Sequence, residues 1–189
     1  MMGLLDGGNT VYLSKSNDPK RKLAHTLEMI EAEGALVGVN TQTPNKLARL
    51  LFQQKHFEEL KGYDAIHSEV KLNAQTRLDF ALTGNDLPTC YVEVKNVHYT
   101  KGQTAYFPDA VTTRGQRHLR ELSELVQAGN RAIMLYIIQR DDVEAFDFAD
   151  FIDPTYAQLA KEALLHGVVL MAQTFTLSPH GIKPFKRIV

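Results

Sequence analysis

The segments RLDFAL (residues 77–82) and CYVEVKNV (Cys90–Val97) carry the side chains best suited to chemistry. Both alternate polar and apolar residues, the period of a strand with one face on a core. The stretch Thr83-Gly84-Asn85-Asp86-Leu87-Pro88 joins them and has the composition of a turn. If the turn is centred near Asp86, cross-strand partners have numbers adding to about 172. Asp79 then faces Glu93, and Arg77 faces Lys95, with Asp79, Glu93 and Lys95 on one side of the hairpin. Two carboxylates side by side repel unless a cation lies between them. Mg²⁺ suits the place, because it is held by one or two carboxylates and keeps several waters; Mn²⁺ is the alternative. A neighbouring Lys can orient or deprotonate an attacking water and stabilise developing negative charge. Asp79 followed by Glu93-x-Lys95 is thus a minimal set for metal-dependent phosphodiester hydrolysis, with Asp79 and Glu93 as metal ligands. The competing reading is that E-x-K merely solvates a strand, as Ser68-Glu69-Val70-Lys71 does. The second copy differs in sitting among Val92, Val94 and Val97, directly after a strand that supplies an acid.

Several elements must position this hairpin. Before it, Pro44-Asn45 opens a helix with Leu47, Leu50, Leu51 and Gln54 on one face, capped by Thr43. A short helical stretch at 56–60 ends at Gly62. After it, a helix is expected over 115–127, capped by Thr112 or Thr113 and ended by Gly129-Asn130. Arg114 and His118 lie four apart on it and share a face, as do Arg117 and Arg120 at three apart. Cations in the first turns of a helix oppose its dipole, a placement that makes sense where a phosphate backbone arrives. The apolar run 132–138 reads as a strand buried on both faces, with Gln139-Arg140 at its end facing a cleft. A helix over 154–166, capped by Asp153, a buried strand over 168–172 and two short segments around Ser178-Pro179-His180-Gly181 complete the chain. The order is that of an α/β domain with a mixed sheet covered on both sides. Ahead of the polar seam NTQTPN, a short strand at 11–13 and a hairpin turning at Glu33-Gly34 form part of a small β module.

Composition narrows the classes. The chain has 189 residues, a net charge of -1 and 44% hydrophobic residues. A single Cys, Cys90, excludes an internal disulfide and a multi-Cys zinc site, and at a strand start it reads as inert packing. The histidines show no HxH or HExxH spacing. No apolar run approaches the roughly 20 residues of a membrane span, and MMGLLDGGNT has neither the basic nor the apolar region of a leader, so a cytoplasmic location is expected. The near-zero charge does not by itself advertise a nucleic-acid partner. The basic residues are nevertheless clustered: Lys20-Arg21-Lys22, Arg114 to Arg120, and Lys183 to Arg187.

The sequences SNDPKRKLAHTLE, VGVNTQTPNKL, SEVKLNAQTRLDFAL, CYVEVKNV and above all YFPDAVTTRGQRHLREL resemble those of the sugar fermentation stimulation protein A (SfsA) family. The resemblance runs over nearly the whole chain. It implies a PD-(D/E)xK restriction-endonuclease-like domain over residues 41–189, preceded by an OB-like β-barrel module over residues 1–40. It implies non-specific DNA binding and a role in regulating maltose and other sugar metabolism. Carried over by motif, Asp79 is the isolated acid, Glu93 and Lys95 are the E-x-K pair, and Arg114 and His118 lie on the following helix. Lys20, Arg21 and Lys22 join Arg114 and His118 as expected DNA contacts. Two departures accompany it. Family members usually carry a further N-terminal stretch that supplies the first barrel strands, so the barrel here is expected to be partial, either truncated at its start or completed by a partner strand. The helix after the seam often brings an acid; KLARLLFQQ has none, Leu50 stands in its place, and Glu58 or Glu59 is the expected substitute. Three functional readings follow: a DNA-binding regulator with a nuclease-like core, an active Mg²⁺-dependent nuclease acting on DNA or RNA, and a non-catalytic interaction domain on a nuclease fold.

Overall fold

The structure, a computed structural model, describes Leu4 and residues 7–189; the leader reading of the first residues falls largely outside them. A six-stranded mixed sheet organises the chain. Its central strand is β9 (Arg131–Ile138), buried at every position after Arg131, as its unbroken apolar run predicts. Parallel to it on either side run β6 (Cys90–Val97) and β11 (Val169–Ser178). The edges are antiparallel: β12 (Gly181–Arg187) beside β11, and β5 (Arg77–Thr83) then β4 (Ala65–Lys71) beside β6.

Helices cover both faces. On one, α1 (Thr43–Gln53) packs Leu47, Ala48, Leu51 and Phe52 against Cys90, Val92 and Val94 of β6. On the other, α2 (Thr113–Gln127) and α3 (Pro154–Leu165) pack against Val97 and the alternate residues of β9. Thr112 caps α2 by accepting from the Gly115 N–H (3.0 Å). Asp153 caps α3 through the Tyr156 N–H (2.9 Å) and also accepts from the Thr112 N–H (2.9 Å), so one carboxylate fixes the start of both helices. Among the described residues no helix is long and apolar enough to cross a membrane.

The front module is a three-stranded sheet of β1 (Val11–Lys15), β2 (His25–Ala32) and β3 (Ala35–Gly38). Glu33 and Gly34, both at positive φ (53° and 81°), make the two-residue turn that suits the twist of a hairpin. The module joins the main sheet at Gly38, whose N–H donates to the Gln139 carbonyl (2.9 Å). A Cβ on Gly38 would lie 2.6 Å from Gln139 Oε1, and Gln139 is itself buried and unable to give way. Gly38→Ala is therefore expected to cost about 1–3 kcal/mol by overpacking, read as a lowered urea midpoint.

Several expectations need correcting. Helix α1 starts at Thr43, and its N-cap, Gln42, makes no side-chain capping bond, so Thr43 does not cap it. Its apolar face is turned: Leu50 is 39% exposed while Ala48 and Phe52 are inside. The stretch 56–60 holds only a 3-10 turn, Glu58–Leu60. Strand β11 continues past residue 172 because Gln173 and Thr174 are buried by hydrogen bonding, which hides the strand from an apolar pattern. Strand β4 is mostly exposed and so lacks alternation. Three short strands were also not foreseen: β7 (Tyr99–Lys101), β8 (Thr104–Phe107) and β10 (Ala145–Phe148), a small sheet leading into α2. Gln139 and Arg140 do not face a cleft. Both are buried, Gln139 donating to Asn96 Oδ1 (3.0 Å) and Arg140 forking onto both Asp142 oxygens (2.6 Å each).

Candidate active site

The β5–β6 pairing follows the register read from the turn, with Phe80 opposite Val92, Ala81 opposite Tyr91 and Leu82 opposite Cys90. Beyond Phe80 the two strands part. Asp79 sits at that point, and its carboxylate takes the place of a ladder partner: Oδ2 accepts from the Val94 N–H at 2.8 Å. Strand β5 bends here. Leu78 packs on the α2 face of the sheet, whereas Phe80 and Leu82 pack on the α1 face. Arg77 accordingly does not face Lys95; its partner is Lys71 across β4.

The second oxygen of Asp79, Oδ1, accepts from Asn45 Nδ2 at 2.8 Å. Asn45 lies in the first turn of α1 and was missed by sequence reasoning. The only signal was a short amide next to Pro44, one turn ahead of the apolar stripe. Burial pushes the Asp79 carboxyl above its ordinary range, and the nearby Glu93 charge adds to this, against the Val94 and Asn45 hydrogen bonds. No Lys or Arg pairs with Asp79 within ion-pair distance among the described residues.

Glu93 is 3% exposed and points toward α2. Its Oε1 accepts from Lys95 Nζ (2.6 Å) and lies 2.5 Å from His118 Nδ1. An anionic carboxylate needs a proton from that ring nitrogen, so His118 carries hydrogen on Nδ1, and its Nε2 is left to accept from Arg114 Nε (3.5 Å). Burial alone would raise Glu93, but His118 and Lys95 outweigh it and hold the carboxyl below its ordinary range. His118 is 1% exposed, so its place is inside, as the orienting partner of Glu93, and not on a DNA-contacting surface. Arg114 is exposed above it.

Asp79, Glu93 and Lys95 therefore lie together at one end of the β5–β6 hairpin, although Asp79 bonds the Val94 N–H and is not the ladder partner of Glu93 that the turn implies. Lys20, Arg21 and Lys22 do not join them. They occupy the exposed loop between β1 and β2, where Arg21 donates to Thr26 Oγ1 (3.0 Å). Glu58 and Glu59 are no substitute for the missing helix acid. Glu58 pairs with Lys61, and Glu59 pairs with Arg187, whose hydrogen bond holds it below the ordinary range, beside the opposite end of β6. Cys90 is fully buried, and burial raises its thiol to about 11, which leaves it inert at neutral pH.

The donor set fits a hard divalent cation. Asp79 is raised by burial and by a like charge that the nearby Lys95 only partly offsets, and it makes no ion pair among the described residues, while the second carboxylate is fixed through Oε1 alone, leaving Oε2 open. Among the described residues no group of three or more His, Cys, Asp or Glu is placed to hold a metal, so two carboxylates would do it with water or substrate oxygens completing the shell.

The family model described as "Sugar fermentation stimulation protein RE domain" matches residues 42–181. The chain belongs to the sugar fermentation stimulation protein family. The model for the SfsA N-terminal OB domain matches residues 1–39, which assigns the three-stranded front sheet to that module. A sugar fermentation stimulation protein homolog of Bartonella henselae is 45% identical over all 189 residues, which span 80% of its length. One from Cyanothece is 46% identical over 186 residues, covering 96% of this chain and 77% of the relative. The solved SfsA of Pyrococcus furiosus in complex with Ca²⁺ superposes with a TM-score of 0.90 at 27% identity, over 98% of this chain and 79% of that one. The SfsA fold is thus an OB module followed by a restriction-endonuclease-like α/β domain.

Proposed function

We propose that this SfsA-family chain binds nucleic acid and, with Mg²⁺ or Mn²⁺ held by Asp79 and Glu93, hydrolyses phosphodiester bonds. The observation that carries this reading is the convergence of Asp79, raised by burial and held in no ion pair among the described residues, with Glu93 and Lys95 at the parted end of one hairpin. The structure of the Pyrococcus furiosus relative with Ca²⁺ supports a divalent cation in this fold. When bound, the metal would supply Lewis acidity to a phosphoryl oxygen and a lowered pKa to a coordinated water. The protein's own groups do the rest. Lys95 Nζ, 13% exposed and bonded to Glu93, holds a fixed positive charge where negative charge develops on the phosphoryl group. His118 fixes Glu93 through Oε1, and Asn45 with the Val94 N–H fixes Asp79, so neither carboxylate must reorganise.

A second reading, a DNA-binding regulator that does not cleave, is favoured by one observation: exposed Leu50 stands where the helix acid is expected, and Glu58 and Glu59 are engaged elsewhere. Labelled single- and double-stranded DNA and RNA, incubated with Mn²⁺ or with EDTA beside a binding assay, separate the two. Metal-dependent cleavage is expected; binding without it would leave the regulatory reading.

The same geometry makes His118 testable through metal affinity alone. His118→Ala is expected to weaken Mn²⁺ binding about 10–100-fold by calorimetry. His118→Asn, whose amide can donate from nearly the Nδ1 position, is expected to recover much of that loss. Equal affinity in wild type and His118→Ala would remove the orienting role.

A further inference from the structure

Beside the acid site the end of the β4–β5 hairpin opens into a polar cleft of about 310 Å³, lined by Glu69, Lys71, Asn73, Gln75, Arg77 and, from α2, Arg114. The placement of its cations is costly. Lys71 and Arg77 are direct cross-strand partners, and like charges directly opposite one another destabilise a ladder. Arg114 lies in the first turn of α2, where a cation opposes the helix dipole. Compensation within the protein is thin. Glu69 reaches Arg77 at 3.4 Å, but both side chains are more than half exposed, and such pairs contribute little. Among the described residues Arg114 donates only to His118, at 3.5 Å, and no carboxylate pairs with Arg114 or Lys71. Three cations converge on one cleft against local preference, and an anion would relieve all three.

The cleft is also continuous with the candidate chemistry. Arg77 is two residues along β5 from Asp79, and Arg114 touches the histidine that orients Glu93. We infer that Lys71, Arg77 and Arg114 form a docking cleft for the phosphodiester backbone of nucleic acid, which seats the strand next to Asp79 and Glu93. This rests on the nucleic-acid reading proposed above and names the surface that delivers the substrate. Lys71, hidden in the Ser68-Glu69-Val70-Lys71 pattern, and Arg77 then have a purpose: they position the backbone without reading bases, and sequence preference is not expected from them.

Counterion release gives the test. Each phosphate contact contributes about 0.9 to the slope of log affinity against log salt on duplex DNA. Anisotropy titrations of a fluorescent duplex, in EDTA to prevent cleavage, compare wild type with Lys71→Ala/Arg77→Ala and with Lys61→Ala/Lys161→Ala. The control pair removes the same charge from exposed sites away from the cleft. The cleft variant is expected to lose about 2 from the slope, and the control pair almost none. Wild-type binding with the same slope in the cleft variant, or an equal loss in the control, overturns the cleft and leaves the nucleic-acid reading standing. A wild type that binds no duplex overturns both.

Discussion

Lys95→Ala is expected to lower metal-dependent cleavage by about 10²–10³-fold or more while leaving nucleic-acid affinity within about twofold. The asymmetry follows from burial. Lys95 is held 2.6 Å from Glu93 and is 13% exposed, so it offers little of its charge to a passing backbone. The same enclosure makes its charge effective at short range, where a fixed cation stabilises developing charge without reorganising. The substitution should not collapse the site, because His118 Nδ1–H still bonds Glu93 at 2.5 Å and the apolar face of β6 is untouched. An unchanged urea midpoint checks that point. Cleavage of a labelled duplex in Mn²⁺, read beside anisotropy in EDTA, separates chemistry from binding. Equal cleavage by wild type and variant would remove Lys95 from the mechanism.

Legibility in the sequence depended on whether a residue's environment is local. The β5–β6 register was readable because a turn between two alternating strands fixes it, and Phe80, Ala81 and Leu82 take the partners that the turn implies. The buried β9 and the Glu33-Gly34 turn were readable for the same reason, one from an unbroken apolar run and the other from turn chemistry. What escaped lies in contacts between distant segments. Asn45 reaches Asp79 across 34 positions, and His118 reaches Glu93 across 25. Arg114 and His118 look alike in the sequence, sharing a helix face, yet the structure buries one beneath the other and gives them different work. The face of α1 was misjudged because Leu50 is as apolar as Leu51, and only the bend of the chain onto β6 decides which of them is covered. Lys71 was discounted because an E-x-K pattern on an exposed strand is cheap, and Arg77 was placed opposite Lys95; the convergence of both with Arg114 exists only once α2 is folded against the sheet.

Asp79→Asn is expected to reverse its effect on stability according to whether metal is present. Without metal, burial and the Glu93 charge raise the folded-state pKa of Asp79. A carboxyl that holds its proton more tightly folded than unfolded favours folding below its unfolded pKa, and that advantage is lost as pH rises through the folded value. Asn carries no such charge. Its carbonyl can accept the Val94 N–H, and its amide can donate to Asn45 once that side chain turns over. In EDTA the variant's urea midpoint should therefore exceed that of wild type at neutral pH, and the gap should close on acidification through the carboxylate range. Saturating Mn²⁺ should invert the order. Binding to the native state alone stabilises wild type by about 2.7 kcal/mol at 100 times Kd, and the variant, having lost one of two carboxylate ligands, gains little. A crossing of this kind cannot come from a residue that is merely structural, because structural loss lowers the midpoint in both solutions. If wild type gained nothing from Mn²⁺, the metal assignment would fall. If both proteins gained equally, Asp79 would not be among the ligands.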